Sequence, residues 1–329
     1  MELPSIDNYL VADGQFKKEL ERYVAFFKDK DTQEKYLSKT GDELIQLYEE
    51  VPIKGKTVNV VRGIFPRKAF YTIDYKRYSI WAFIFNRNGQ VLLQQRSKFT
   101  ADNRLLWDKS SGGHVDLGES STIMTVRREV IEELFLKEAE YTLYVQEKGR
   151  DFIDFGEWNT DKRSEYSLSG AFDNLDDNDW VIFRPVDRNG LPMTIDRSSY
   201  RRMHVKDVDE NGNYIPVLDK DGKPQKNEKG KNVYQEHIEN WPTIFISDVY
   251  LLISPEGYID TDEQMNNILS QVEEKGAQSS HRLMNVEDLI KDVEKNSELY
   301  TDDMRDMIVH RKWLLIQFAN FVKDTFAKK

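Results

Sequence analysis

The chain has 329 residues, of which 39% are hydrophobic and 32% are charged, a composition typical of a globular protein with one or two domains. Its 47 basic and 58 acidic residues give a formal net charge of −11, which argues against a general binder of nucleic acid or anionic membranes, because those surfaces select Lys and Arg. The chain contains no Cys, which excludes disulfides, thiolate metal sites and a Cys nucleophile. We expect a cytoplasmic protein, since we find neither a signal-peptide pattern nor an apolar run of bilayer length.

Residues 1–55 are predicted to form a helical N-terminal extension. Phe16, Leu20 and Val24 recur at helical spacing, and a second short helix is predicted around residues 42–50. No residue of this extension indicates chemistry. We expect it to pack on the core or on another subunit, which leaves a homodimer open.

Residues 56–329 are predicted to form one domain. An apolar stripe of Ile123, Val126, Val130 and Leu134 predicts a helix from residue 120 to about 137. The sequence Asn-Arg-Asn-Gly that begins at Asn86 predicts a hairpin between two strands. Strands are predicted at 58–64, 78–86, 90–95, 141–145, 152–155, 180–183 and 243–253, and closing helices at 261–275, 286–295 and 302–323.

Residues 185–240 are predicted to be a turn-rich insertion of hairpins and loops on the surface. The segment that begins at Asp207 starts like a calcium-binding loop, but its twelfth position is Leu218 rather than Glu, so a hairpin is favoured. We recognise no internal repeat in the chain.

One segment indicates chemistry, namely Gly112-Gly113-His114 and the acidic helix that follows it. Glu129, Glu132 and Glu133 stand at positions i, i+3 and i+4, so they share one face of that helix. Three carboxylates on one face repel one another unless a cation binds them, and Mg²⁺ and Mn²⁺ prefer such oxygen ligands. A Gly-rich loop just before the helix lets the backbone approach an anionic ligand closely.

This segment resembles the Nudix box, whose pattern is G-x5-E-x7-R-E-U-x-E-E-x-G-U with U apolar. Gly113 and Glu119 match its first half, and Arg128 with the three glutamates matches its second half. Eight residues rather than seven separate Glu119 from Arg128. We place the extra residue before the helix, near residues 120–121, because that register keeps the apolar stripe inward; both registers retain Glu132. Phe135 replaces the Gly that usually ends the helix, so we expect the helix to continue to 137 or 139.

The resemblance implies an α/β fold, the Nudix α/β/α sandwich with a mixed sheet, and a divalent metal cofactor. The metal, Mg²⁺ or Mn²⁺, would be held by Glu129, Glu132 and Glu133, which are also the catalytic residues, together with the carbonyl of Gly113. It further implies that Glu119 and Arg128 form a structural ion pair and that Arg96 faces the substrate diphosphate, although a solvated strand-end role for Arg96 stays open. The general base is left open between Glu129 and a carboxylate in residues 150–260.

Segments 62–67, 79–86, 90–96 and 107–114 look like the Nudix subgroup close to type 1 isopentenyl-diphosphate isomerase. That enzyme uses a Cys where this chain has Gly112, and two His where this chain has Phe70 and Arg77. The resemblance therefore implies a hydrolase of acid anhydrides that cleaves a small-molecule diphosphate, a nucleoside diphosphate-X or a related compound. The alternatives are a Nudix-fold binding or regulatory module with little turnover and, with less support, an isomerase-like enzyme.

Overall fold

A computed structural model gives the fold. It describes residues 44–53, 56–66, 76–100, 102–115, 119, 122–134, 143–144, 152–154, 180–186, 193–227, 230–271 and 278–326. The strands are β1 (Leu44–Ile53), β2 (Lys56–Pro66), β3 (Lys76–Phe85), β4 (Gln90–Arg96), β5 (Trp107–Asp108), β6 (Leu143–Tyr144), β7 (Phe152–Asp154), β8 (Trp180–Val186), β9 (Thr194–Lys206), β10 (Glu236–Ile253) and β11 (Gln278–Asn285). The helices are α1 (Thr122–Leu134), α2 (Asp262–Gln271), α3 (Val286–Lys295) and α4 (Asp302–Phe326). None of these helices is long and apolar enough to cross a membrane.

The strands form a mixed sheet whose main path runs β11-β4-β3-β10-β8-β6. At its centre β3 and β10 pair in parallel, with Arg77 opposite Phe245 and Phe85 opposite Ile253. β11 with β4, and β8 with β10, are antiparallel. The predicted hairpin at Asn86 joins β3 to β4, and Asn86 Oδ1 accepts hydrogen bonds from the backbone N–H of Asn88 and Gln90.

Alternation along β3 divides the core into two layers, one on each face of the sheet. Trp81, Phe83 and Phe85 pack with apolar residues of α3 and α4. Ile80, Ala82 and Ile84 pack on the opposite face with Val126, Val130 and Leu134, the predicted apolar stripe of α1. Helices therefore cover both faces of a mixed sheet, which confirms the predicted α/β sandwich. The Gly-rich loop before α1 lies beside β3, since Ile80 N–H donates to the Gly113 carbonyl at 2.9 Å.

The helix predicted around residues 42–50 is wrong. That segment belongs to β1, which pairs with β2 in an antiparallel hairpin and touches β3 at Leu47 and Tyr48. Helical spacing of three apolar residues was too short a pattern to exclude a strand, and β2 supplies the partner that decides between them. The first predicted helix, Phe135 and the continuation beyond Leu134 lie outside the described residues. The division into an extension and one domain stays a prediction.

The predicted insertion contains a long two-stranded ribbon and three small hairpins. β9 and β10 pair from Thr194 opposite Asp248 to Lys206 opposite Glu236, so β10 begins seven residues before the strand predicted at residue 243. Three turns then follow the same pattern: Gly212, Gly222 and Gly230 have positive φ and donate a backbone hydrogen bond to the residue three positions earlier. The hairpins are thus a short structural repeat, which the sequence analysis missed because only the Asx and Gly positions recur.

Candidate active site

Gly113 and Glu129 lie against each other. A Cβ built on Gly113 would overlap the carboxylate of Glu129, although the φ of Gly113 is not in the left-handed region. Glycine is therefore required here by close approach and not by backbone conformation. The loop and the first half of α1 are fitted together with the Glu129 carboxylate between them.

Arg128 connects the loop to the acidic face of α1. Its Nε lies 3.0 Å from Glu119 Oε1, and its Nη2 donates to the His114 carbonyl at 2.9 Å. Its Nη1 lies 2.8 Å from Glu129 Oε1 and 3.1 Å from Glu132 Oε2. Glu119 also accepts a hydrogen bond from Thr125 Oγ1 at 2.6 Å. The contact between Arg128 and Glu119 agrees with the alignment that has one extra residue before the helix. In that alignment Val126 and Val130 face the core, where they are found.

Glu129, Glu132 and Glu133, hereafter the α1 carboxylate cluster, place three acidic side chains on α1, and Arg128 contacts two of them. Glu129 and Glu133 are buried, and Glu132 is partly exposed. Burial raises the pKa of Glu129 well above its usual value, and repulsion from Glu133 and Glu132 adds to this, while Arg128 acts in the opposite direction. A cation that joined the cluster would relieve this repulsion.

A divalent metal fits the residues of this cluster, although within the described part of the chain no three Asp, Glu or His side chains are already arranged around one point. The Arg128 guanidinium contacts two of the glutamates, Glu129 and Glu132. The donors are all carboxylate oxygens, the type that Mg²⁺ and Mn²⁺ select. Burial and the two neighbouring carboxylates raise the pKa of Glu129, so a cation beside it would favour its ionised form.

Arg96 lies in a different set of ion pairs, at the end of β4. Its Nη2 is 2.5 Å from Asp102 Oδ1, and its Nη1 is 4.0 Å from Asp108 Oδ2. Both carboxylates belong to the segment that leads from β4 to the Gly-rich loop. A role of Arg96 toward substrate stays a prediction.

A buried ionic cluster that the sequence analysis missed lies on the other face of the sheet. It consists of Asp303 with Lys109, Arg197 and Arg201, whose nitrogens lie 3.1, 2.9 and 3.0 Å from the Asp303 carboxylate. Lys109 also contacts Asp108 at 3.2 Å, and its side chain lies against Gly112. The cluster therefore supports the Gly-rich loop from behind. Asp303 follows Thr301 and Asp302 at the start of α4, where a sequence predicts an exposed helix cap rather than a buried charge.

Arg77 and Arg201 both lie against the ring of Phe245. Their guanidinium carbons are 4.4 Å and 4.8 Å from the centroid of that ring. The ring of His114 stacks on Phe245 with centroids 6.4 Å apart. Arg77, at a position where the isomerase has a metal-binding His, is thus buried against an aromatic ring.

A second missed group anchors the start of α1. Thr122 Oγ1 donates to Asp248 Oδ2 at 2.6 Å and lies 2.7 Å from the Tyr250 hydroxyl. Asp248 is buried, forms an ion pair with Arg184, and accepts a hydrogen bond from Thr194 Oγ1 at 2.8 Å. These contacts fix the first turn of α1 on β10, and thereby fix the direction in which its glutamates project.

Comparisons with known proteins support the resemblance over part of the chain. Residues 75–212 match the family model described as NUDIX domain, and this range includes β3, the Gly-rich loop and α1. Among solved structures, the crystal structure of DR0079 from Deinococcus radiodurans is 14% identical, covers 81% of this chain and 98% of its own, and has a TM-score of 0.36. A search of curated proteins finds no match. Residues 75–212 are therefore similar to a NUDIX domain, and the isomerase-like subgroup stays a prediction.

Proposed function

We propose that this NUDIX-domain protein is a metal-dependent hydrolase that cleaves a diphosphate linkage in a nucleoside diphosphate-X or a related compound. The observation that carries the proposal is the α1 carboxylate cluster, in which the buried Glu129 lies against Gly113 and has a raised pKa. The residue range of the NUDIX domain includes this cluster. Nudix hydrolases act on acid anhydrides, which is the reaction class we assign.

Glu129, Glu132 and Glu133 would hold one or more Mg²⁺ or Mn²⁺ ions, with the Gly113 carbonyl as a further ligand. When bound, such an ion neutralises phosphate oxygens and lowers the pKa of a coordinated water. Arg128 and Glu119 hold the Gly-rich loop on α1 through the contacts at 3.0 Å and 2.9 Å. Gly113 leaves room for the Glu129 carboxylate. Arg96 is our candidate for binding the diphosphate, and the general base stays open.

A binding module with little turnover is the second candidate. Arg128 contacts both Glu129 and Glu132, so the acidic face is partly neutralised by the chain itself. An isomerase-like enzyme has less support, because Gly112 takes the place of the Cys that the reaction needs and a Cβ there would overlap the Lys109 side chain. We also propose a cytoplasmic location, a small-molecule partner rather than nucleic acid or membrane, and leave a homodimer open.

The test is a panel of nucleoside diphosphate compounds incubated with Mg²⁺ or Mn²⁺, with product identification and phosphate detection. Wild type is compared with Glu132→Gln and with Glu287→Gln, an exposed Glu in the first turn of α3 that serves as the matched control. We expect hydrolysis by wild type and the control, and a loss of about 100-fold or more in Glu132→Gln. A loss of less than about tenfold would contradict the metal role. Ligand-induced thermal stabilisation without product would favour the binding module.

A further inference from the structure

A small cavity lies where the edge of β9 meets the first turn of α4. Its volume is about 200 Å³, and the residues that line it include Asn103, Tyr200, Arg202, Asn240, Asp302 and Arg305. None of these residues has a part in the proposed hydrolysis. The cavity is therefore a separate feature of the fold.

Asn103 is one of the residues that line this cavity, and its side-chain amide is buried. The residue is 2% exposed. Its backbone N–H donates to the Arg202 carbonyl at 2.9 Å, and its Oδ1 accepts from the Arg202 N–H at 3.1 Å. The second bond fixes which way the side-chain amide faces, because its oxygen must accept from an N–H. Its Nδ2 is left buried with no hydrogen-bond partner among the described residues. Buried donors of this kind are rare in folded proteins, and a bound acceptor would satisfy it.

Two guanidinium groups add positive charge to the same cavity. Arg202 Nη1 donates to the Glu298 carbonyl at 3.2 Å, and no described carboxylate forms an ion pair with Arg202. Arg305 Nη2 lies 3.0 Å from Asp302 Oδ1. Asp302 also accepts from Ser199 Oγ at 2.8 Å and lies 3.3 Å from Arg197, which it shares with Asp303 and Asp306. The lining therefore carries two guanidinium groups and one carboxylate, an excess of positive charge.

Tyr200 adds a flat apolar surface at the mouth of the cavity. The residue is 59% exposed, and its backbone N–H lies 3.4 Å from Asp302 Oδ2. The backbone is thus held while the ring stays accessible. Asn240 supplies a second amide to the lining. An exposed aromatic ring beside two arginines suits a ligand with both a planar group and an anionic group.

We propose that this cavity binds a small phosphomonoester that carries a planar ring. Arg202, Arg305 and Asn103 Nδ2 would donate to the phosphate, and the ring would stack on Tyr200. A phosphate suits the lining better than a carboxylate, because three terminal oxygens are available to donors from three separate elements. The cavity is smaller than the roughly 300–1,000 Å³ of sites for drug-sized ligands, which favours a single ring with one anionic group.

The test is calorimetric titration of the full chain in EDTA, where metal-dependent hydrolysis is absent. The probes are phenyl phosphate, inorganic phosphate, phenol and benzoate. We expect phenyl phosphate to bind at one site per chain, at least about tenfold more tightly than the other three. Equal affinity for inorganic phosphate or for benzoate, or no binding of phenyl phosphate, would overturn the proposal.

Variants place the binding in this cavity. Arg202→Met removes the guanidinium but keeps the backbone bonds to Asn103, and Tyr200→Leu removes the ring. Asn103→Asp keeps the acceptor and replaces the donor with an anion. Each of these three substitutions should weaken the binding of phenyl phosphate at least about tenfold. Tyr214→Leu, at a Tyr of similar exposure (56%) on the hairpins, is the matched control and should bind like wild type. Thermal unfolding midpoints confirm that each variant is folded.

Binding that is unchanged in Arg202→Met and Tyr200→Leu, or that is lost in Glu132→Gln instead, would overturn this site. Either result leaves the proposed hydrolysis untouched, because hydrolysis is scored separately with Mg²⁺ or Mn²⁺ present. Absence of hydrolysis with intact phenyl phosphate binding would contradict the proposed hydrolysis and support this site. The two proposals therefore fail in different experiments.

Discussion

Two buried acidic groups lie on opposite faces of the same sheet, and their surroundings differ in sign. Glu129 of the α1 carboxylate cluster lies beside Glu132 and Glu133 with Arg128 as its neighbouring cation. Asp303 lies among three cations in the buried ionic cluster. Burial raises the pKa of Glu129, and its acidic neighbours raise it further. Burial alone would raise the pKa of Asp303 too, but Arg201, Lys109 and Arg197 outweigh it and hold that pKa below its usual range.

This difference separates a group that stabilises the fold from one that is available for function. A carboxylate with a lowered pKa already has its counter-charge within the protein, so its ionised form strengthens the folded state. A carboxylate with a raised pKa weakens the folded state when it ionises, unless a cation from outside joins it. The contrast predicts opposite responses to neutralising the two groups.

Asp303→Asn should give the largest effect. It removes the buried carboxylate that Lys109, Arg197 and Arg201 all contact, so we expect the free energy of unfolding to fall by about 3–5 kcal/mol in chemical denaturation. The folded pKa of Asp303 is lowered, so its stabilisation is complete above the ordinary value of 3.8 and declines as pH falls through the folded pKa. The deficit of the variant should therefore persist at neutral pH and shrink in acid.

Asp288→Asn is the matched control for that change. Asp288 is exposed and lies 3.7 Å from Lys291 on the surface of α3, so its loss should cost less than about 1 kcal/mol. A similar small cost for Asp303→Asn would contradict the structural role of the buried ionic cluster.

Gly113→Ala tests the close approach on the other face. The added methyl group must displace the Glu129 carboxylate, so we expect hydrolysis to fall about 30-fold, equivalent to about 2 kcal/mol. Gly222→Ala is the control, because Gly222 has a φ of +76° but no atom lies within 4 Å of the place that its added methyl group would take. The control should cost some stability and no activity. Full activity of Gly113→Ala would show that the position of Glu129 does not matter.

Glu129→Gln should stabilise the metal-free protein at neutral pH, because Gln places no charge in the buried site. The folded pKa of Glu129 is raised, so between the ordinary value of 4.5 and the folded pKa the unfolded chain binds fewer protons than the folded chain. The free energy of unfolding of wild type therefore falls as pH rises through this window. The gain of the variant should vanish below the ordinary value of 4.5. Thermal unfolding in EDTA across pH measures the gain, and destabilisation at neutral pH would contradict the cost of ionising the buried Glu129.

Asp209→Asn should give the smallest effect. Asp209 caps the first of the three small hairpins, where its Oδ1 accepts from the backbone N–H of Asn211 and Asn213 at 2.9 Å, and Asn can make the same bonds. We expect unchanged hydrolysis and no Ca²⁺ binding in either protein by calorimetry. Ca²⁺ binding that the variant loses would revive the calcium-loop alternative.

Much of the fold was predictable where local patterns were long and regular. The apolar stripe of α1 spans four residues at steps of three or four, and each of Val126, Val130 and Leu134 is buried. The hairpin at Asn86 follows from turn chemistry alone. The β1 strand was not predictable in this way, because its identity depends on pairing with β2. The length of the ribbon likewise depends on pairing with β9.

The candidate site was likewise predictable from sequence only in part. The shared helix face of Glu129, Glu132 and Glu133 follows from helical geometry. The contact between Asp303 and Lys109 joins residues 194 positions apart, and no local pattern reveals it. The unpartnered Nδ2 of Asn103 is also a product of long-range pairing, here with Arg202 on β9. Sequence thus predicts which groups share an element, and tertiary structure decides which charges they meet.

The most direct test of the central claim is a Mn²⁺ binding titration, followed by the electron paramagnetic resonance signal of free Mn²⁺. Wild type, Glu132→Gln and the control Glu287→Gln are compared at neutral pH. We predict that wild type and the control bind Mn²⁺ with the same affinity and that Glu132→Gln binds at least about tenfold more weakly. Equal affinity in wild type and Glu132→Gln would contradict the assignment of the α1 carboxylate cluster as the metal site.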